Sequence, residues 1–448
     1  MTVRGLTLLK NAGAAIALIF SQVLTSGQLL AAPHFTDARA LAMGGVGVTA
    51  ARPAAASFYN PALLAVKQKT KSDGFGMLLP SVSVVANDEH ELIDTVDDFD
   101  TDFLDPFENS LDDLDQAITG LGTTSTITDV NNALSALEAN TNKLDGELVR
   151  IDRDQAIIDV GLGVSFQVPG EDLGVGFFAS SAARIGAALE YRDSQLLQDT
   201  IQDARDAVTG LNPSLITYTE GDLQSSVRAV GVANSEVGLS FAHNFDIAGH
   251  HYAIGVSPKL VNYRVYDISY DVDGFDDIDE QLLEDSKESK TAFNFDIGIA
   301  SYLDRDNRWL VGFSVLNVIP QDLKTKDSQV VGGSIQVTGV TVDMEPVATA
   351  GISYAGDSYI VAADLQLTQV KATFTEDDQQ YIGIGAEYDL FESAQFRIGT
   401  RYNLAGSSDP IITTGIGVTA LGASFELAAL GSTDANTLGL SLQIGSTF

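Results

Sequence analysis

Near the carboxyl end, Leu438, Leu440, Leu442 and Ile444 alternate with Gly439, Ser441, Gln443 and Gly445, and Ser446, Thr447 and Phe448 complete the run. Period-two alternation sets one face of a strand against an apolar medium and the other against a polar one. The pattern recurs in Val160–Val168, Val237–Phe245, Phe293–Ile299, Tyr359–Leu367 and Phe396–Tyr402, among others. Counting such segments gives about fourteen strands, within the range of membrane barrels. Two prolines disturb the rhythm. After Pro80 the apolar phase moves from Met77 and Leu79 to Val82 and Val84, and around Pro258 it moves from Ile254 and Val256 to Val261, Tyr263 and Val265. The flip around Pro258 reads as a bulge or kink, because proline cannot donate to a ladder. Tyr191, Trp309, Tyr354, Tyr359, Tyr388 and Tyr402 fall near strand ends, where aromatic girdles meet the edges of a bilayer.

The connections sort by length. Residues 87–154, 192–226, 271–290 and 320–345 form long loops, separated by short turns at 169–172, 246–250 and 304–307, and the later connections all read as short. Barrels of bacterial outer membranes have short turns on one side and long loops on the other. Within the first loop Leu111, Leu114, Ile118 and Leu121, then Leu134, Leu137, Leu144 and Leu148, recur at helical spacing, with Asp112, Asp113 and Asp115 on the other face. That pattern predicts an amphipathic helical pair, and 193–208 also reads as helix.

Composition narrows the class. Hydrophobic residues make up 45% of the chain and there are 41 glycines, yet no segment predicts a membrane helix. Arg4 and Lys10 followed by the apolar run Ala12–Leu24 and the small residues Ala31 and Ala32 read as a signal peptide over 1–32. There is no cysteine, which excludes disulfides, thiol nucleophiles and thiolate metal sites. With 61 acidic against 25 basic residues, the net charge of −36 excludes nucleic-acid binding. Acidic runs at Asp94–Asp102 and Asp271–Asp279 lack EF-hand spacing and read as solvated loops. Five histidines form no metal motif, and only His243, with Ser240 three positions earlier, falls in a strand. No enzyme activity, metal or cofactor is expected.

The face opposite the apolar one carries Arg264, Asp364, Gln366, Glu387, Asp389, Arg397 and Arg401, so a polar, charged lumen is expected. Ahead of the first strand stands a glycine-rich stretch with Gly44, Gly45 and Gly47, followed by Asn60-Pro61-Ala62. This resembles the amino-terminal segment of FadL/PorV-type outer-membrane proteins, most closely the conjugal-transfer TraF-like subgroup. The resemblance implies an all-β, antiparallel outer-membrane barrel of about fourteen strands over 71–448. It also implies an N-terminal hatch over 33–70 and helical extracellular loop insertions at about 88–154 and 192–226. By the same resemblance, Gly44, Gly45, Gly47, Asn60 and Pro61 would form and gate the hatch. The protein would sit in the outer membrane of a Gram-negative bacterium, in contact with its lipid, and pass hydrophobic or small organic solutes. The alternative is a non-conducting assembly protein for secretion or conjugal transfer, with a protein partner at its extracellular loops.

Overall fold

The structure is a computed structural model that describes residues 37–66, 75–88, 100–218, 224–247, 250–271, 280–331, 335–372, 377–391, 393–406, 409–420 and 422–447. The signal segment 1–32, Asp94, Asp97, Asp98, Asp273–Asp279 and Phe448 lie outside the described residues. Strands β1 (Gly76–Asp88), β2 (Gln155–Val168), β3 (Gly174–Glu190), β4 (Ser226–Ile247), β5 (His250–Asp271), β6 (Glu288–Tyr302) and β7 (Trp309–Leu316) form half the wall. Two small hairpins follow, pairing β8 (Gln321–Lys324) with β11 (Thr341–Met344) and β9 (Ser328–Gln329) with β10 (Gln336–Val337). The wall resumes with β12 (Val347–Ala355), β13 (Tyr359–Gln366), β14 (Tyr381–Leu390), β15 (Ala394–Asn403), β16 (Ile411–Ala420), β17 (Ala423–Ser432) and β18 (Thr437–Thr447). Each neighbouring pair is antiparallel, and β1 pairs with β18 to close a barrel of fourteen strands.

The alternation selects the two faces. Ile412, Ile416, Phe425, Leu427, Leu438, Leu440 and Leu442 stand on the exposed outer surface, whereas Thr413, Glu426 and Ser441 are buried on the inner one. An outward apolar band is what bilayer hydrocarbon requires of a barrel. Trp309, Tyr354, Tyr359 and Tyr388 gather at the short-turn end, with ring centroids 4.9 Å apart for Trp309–Tyr354 and 5.9 Å for Tyr354–Tyr359. Tyr402 stands at the loop end. Tyr191 does not join a girdle. Its hydroxyl donates to Asp145, and its ring packs against the helices of the loops.

The two prolines behave differently. At Pro80 the register against both neighbours shifts between Leu78 and Ser81, an irregularity that accounts for the shifted apolar phase. At Pro258 there is no phase flip. The β5–β6 register runs unbroken through Pro258↔Phe295, and the β4 ladder resumes on the same register after a gap from Gly238↔Lys259 to Phe241↔Val256. Val261, Tyr263 and Val265 therefore share the inward parity of Gly255 and Ser257 and are almost fully buried. Arg264 takes the outward parity of Ile254, Val256 and Leu260. It is not a lumen residue, and its Nε donates to Asn262 Oδ1. The height of the wall accounts for this. Strands β12–β18 have 8 to 11 residues, about what a tilted strand needs to span a bilayer, whereas β3 has 17 and β4 and β5 have 22 each. The upper parts of β3–β5 thus exceed the length a bilayer requires, and Arg264, only 8% exposed, is covered there by protein.

Connections alternate all the way round. Short turns at 303–308, 356–358 and 391–393 face longer loops at 317–346, 367–380 and 404–410. The alternation therefore continues past the first half, with 367–380 longer than expected. The first two loops carry helices Asp105–Thr119, Ile127–Ile151 and Ser194–Gly210. Thr126 and Asp129 close a reciprocal capping box at the start of the longest. Leu114, Ile118, Leu137, Leu144, Leu148 and Leu197 make one buried cluster with Leu189 of β3, while Asp112, Asp113 and Asp115 are exposed. These helices roof the tall side of the barrel.

Candidate functional site

Residues 37–66 fill the turn-end half of the lumen. Alanine and glycine dominate the segment, and short side chains let the backbone lie close to the wall. It folds into short helices at Ala38–Ala42 and Ala56–Tyr59 and 3-10 turns at Pro53–Ala55 and Pro61–Ala65. Asn60 is fully buried and its side chain makes three bonds. Its Oδ1 accepts from Ala62 N at 3.1 Å, capping the last turn, and its Nδ2 donates to Val48 O at 2.9 Å and to Ile299 O of β6 at 3.2 Å. Pro61 occupies the first position of that turn, where its fixed φ fits and no N–H is needed. Gly44 and Gly45 take φ of 74° and 84°, the left-handed region that glycine enters without strain. The wall grips this bend: Gly44 N donates to Thr413 Oγ1 at 2.9 Å, and Gly47 N and Val48 N donate to Asp364 Oδ2 at 2.7 and 2.9 Å.

The wall makes room by omitting side chains. A methyl group on Gly255 would overlap Pro61 and Ala62, and on Gly298 it would overlap Asn60. Across the lumen, methyls on Gly383, Gly385, Gly399 and Gly415 would overlap Ala42, Met43 or Gly44. Plug backbone thus rests directly on wall backbone at both sides of the barrel.

Charges fix the same contact. Arg39 Nε and Nη2 reach Glu387 Oε2 and Oε1 at 2.8 and 3.2 Å, a two-point grip. Arg52 lies 3.5 Å from Glu387 and 3.2 Å from Glu426. Arg397 binds Glu387 at 2.6 Å and Glu426 at 2.8 Å. Two plug arginines and one wall arginine therefore share two wall glutamates, all but Arg52 almost fully buried. Asp37 and Tyr59 close the inner end, the Tyr59 hydroxyl donating to Asp37 Oδ1 at 2.7 Å and accepting from its N–H at 2.9 Å.

Above the plug lies a cavity of about 220 Å³. Its floor is Leu41, Gly44, Gly45, Val48, Phe58 and Tyr59, and its walls include Val85, Val160, Ala182, Leu316, Val347 and Leu430. Asp159, Arg184, Gln379, Tyr381 and Arg401 line both this cavity and a second one nearer the loop end, which adds Asn87, Asp377, Asp409 and Asp434. They form the neck between the two.

Of the residues singled out from sequence, Asp364, Glu387 and Arg397 meet the plug, and Arg401 lines the neck. Arg264 lies apart from them. Arg39, Arg52, Thr413 and Glu426 escaped attention. Their signals were two arginines in an alanine-rich segment, and polar residues at inward parity such as Glu426 between Phe425 and Leu427. Ser240 and His243 occupy opposite faces of β4. Ser240 bonds Ser57 and Ser257 inside, while His243 stands outside beside Phe245, so they form no dyad. Among the described residues no helix is long and apolar enough to cross a membrane.

Comparison with known proteins follows the architecture. The structure of the TodX deltaS2S3 mutant, a monoaromatic hydrocarbon channel, superposes with a TM-score of 0.50 at 12% identity, covering 94% of this chain and 100% of that one. The toluene transporter TbuX of Ralstonia pickettii gives 0.49 at 15% identity, covering 93% and 99%. At such identities the first likeness shows a shared barrel fold. No curated protein matches the sequence. Residues 57–366, from the plug through β13, match the family described as "F plasmid transfer operon, TraF, protein", and the chain belongs to that family.

Proposed function

We propose that the protein is an outer-membrane channel for hydrophobic or small organic solutes. The cavity carries this reading: a chamber of mixed apolar and polar walls, open through a charged neck towards the loop end and floored by the glycine bend of the plug. Solute would enter from the loops and leave past a displaced Gly44–Gly47 bend, with Asn60 and Pro61 anchoring the part that stays. The fold is shared with a hydrocarbon channel, which supports the reading without naming the solute. Uptake of a panel of radiolabelled small aromatic solutes into proteoliposomes tests it. Initial rates above those of empty vesicles are expected, and equal rates across the panel overturn it.

The shared glutamates favour a second reading. A plug pinned by Arg39 and Arg52 resembles a permanent stopper, which suits a non-conducting assembly protein for secretion or conjugal transfer, with its helical roof as the partner face. Cross-linking in native membranes should then recover one reproducible partner, lost when residues 105–151 are excised.

A further inference from the structure

The inward-facing cations of this barrel and its plug share one habit, and Arg401 breaks it. Arg184 pairs with Asp159 at 2.8 Å, Arg228 with Asp267 at 2.7 Å, Lys259 with Asp296 at 2.9 Å, and Arg397, Arg39 and Arg52 with the shared glutamates. In a chain with 61 acidic and 25 basic residues, a carboxylate is easily found. Among the described residues Arg401 has none within ion-pair distance. Its guanidinium instead lies 4.4 Å from the centroid of the Tyr381 ring, and its stem passes beside Gly45. Stacking engages the flat face of a guanidinium and leaves its N–H edge available, and that edge matches the two oxygens of a carboxylate. The stack also holds the group in place, so little side-chain freedom remains to be lost on binding.

The surroundings define the rest of a ligand. Below Arg401 the chamber is walled by Leu41, Val48, Phe58, Leu316, Val347 and Leu430, interrupted by the polar groups of Ser83, Ser314, Thr349 and Thr413 and by Asp364, whose carboxylate is held by the plug amides of Gly47 and Val48. Its volume of about 220 Å³ exceeds the ~150 Å³ that encloses one benzene molecule in an engineered protein cavity. There is room for one ring and a carboxylate. A purely neutral hydrocarbon would leave the guanidinium edge unused.

We propose that this chamber binds small organic acids of one ring or an equivalent short chain. The carboxylate would sit on Arg401 at the neck and the apolar body on the plug's glycine bend. The inference rests on the channel reading above and names the class of solute. A bound acid would lie directly on Gly44 and Gly45 of the floor, with its carboxylate held at the neck above them.

Equilibrium dialysis of the full chain in detergent, with radiolabelled benzoate and its neutral analogue benzamide, tests this. Saturable benzoate binding is expected, at least tenfold tighter than benzamide. Arg401→Gln should weaken benzoate at least tenfold and leave benzamide unchanged, and Arg401→Lys should recover part of the loss. Comparing the two ligands on the unmodified protein needs no variant, so a folding defect in R401Q leaves the test intact. Equal binding of both ligands, no binding of benzoate, or benzoate binding indifferent to R401Q overturns the proposal. Vesicle uptake of benzamide with benzoate binding indifferent to Arg401 removes the acid site and keeps the channel. Arg401-dependent binding without uptake of any solute removes the channel and keeps the site.

Discussion

Glu387 has three arginines within 3.5 Å and is nearly inaccessible to water. Removing one partner of a buried ion pair leaves the others uncompensated and typically costs about 3–5 kcal/mol. Glu387→Ala should therefore lose a comparable amount in urea unfolding of the folded barrel. Arg39→Ala combined with it should cost less than the two changes summed, because both break one network. The glycine bend predicts a different failure. Proline cannot adopt the φ of 84° at Gly45, and at Gly47 it would delete a donor to Asp364. Gly45→Pro should therefore lower the yield of folded barrel in a heat-modifiability gel. Gly47→Ala would press a methyl into the Tyr59 ring and should expose the plug to limited proteolysis. At this scale the sequence was partly legible. Asp364, Glu387, Arg397 and Arg401 could be found because alternation fixes parity within a strand. Which plug group meets which wall group could not, since that pairing spans more than 300 positions and depends on barrel closure.

Strands were the most legible elements, because hydrocarbon outside and polar lumen inside enforce a two-residue period over the whole wall. Pro258 shows where that rule gives out. Its apparent phase flip came from Val261, Tyr263 and Val265, apolar residues that face inward where β5 rises past the bilayer. Above the membrane, apolar no longer means outward. With its register intact, Pro258→Ala should change stability by no more than about 0.5 kcal/mol, the usual range for an outward position, by thermal unfolding. The loop helices were readable from their 3.6-residue spacing, but their attachment was not. Tyr191 supplies part of it. Burial, with the Asp145 carboxylate beside it, raises the pKa of its hydroxyl, so the group stays a donor through neutral pH. Tyr191→Phe should loosen the roof by about 1 kcal/mol, the net value of one such bond, read as faster amide exchange in residues 127–151.

At the scale of the molecule the plug touches opposite walls at once. Asn60–Ala62 lie on Gly255 and Gly298, and Ala42–Gly44 on Gly383, Gly399 and Gly415, with no clearance on either side. A segment that fits so closely cannot be threaded into a finished cylinder. The order of assembly follows: the segment must already lie against the curling sheet when β18 meets β1. The amino-terminal residues then act as a mandrel around which the wall is bent, and the wall glycines record its shape. A chain lacking residues 37–66 should close slowly and in low yield when refolded into lipid. A peptide of residues 37–66 should restore that yield if present before folding begins and do nothing if added afterwards. Full rescue by late addition would show that the cylinder opens wide enough to admit its own plug.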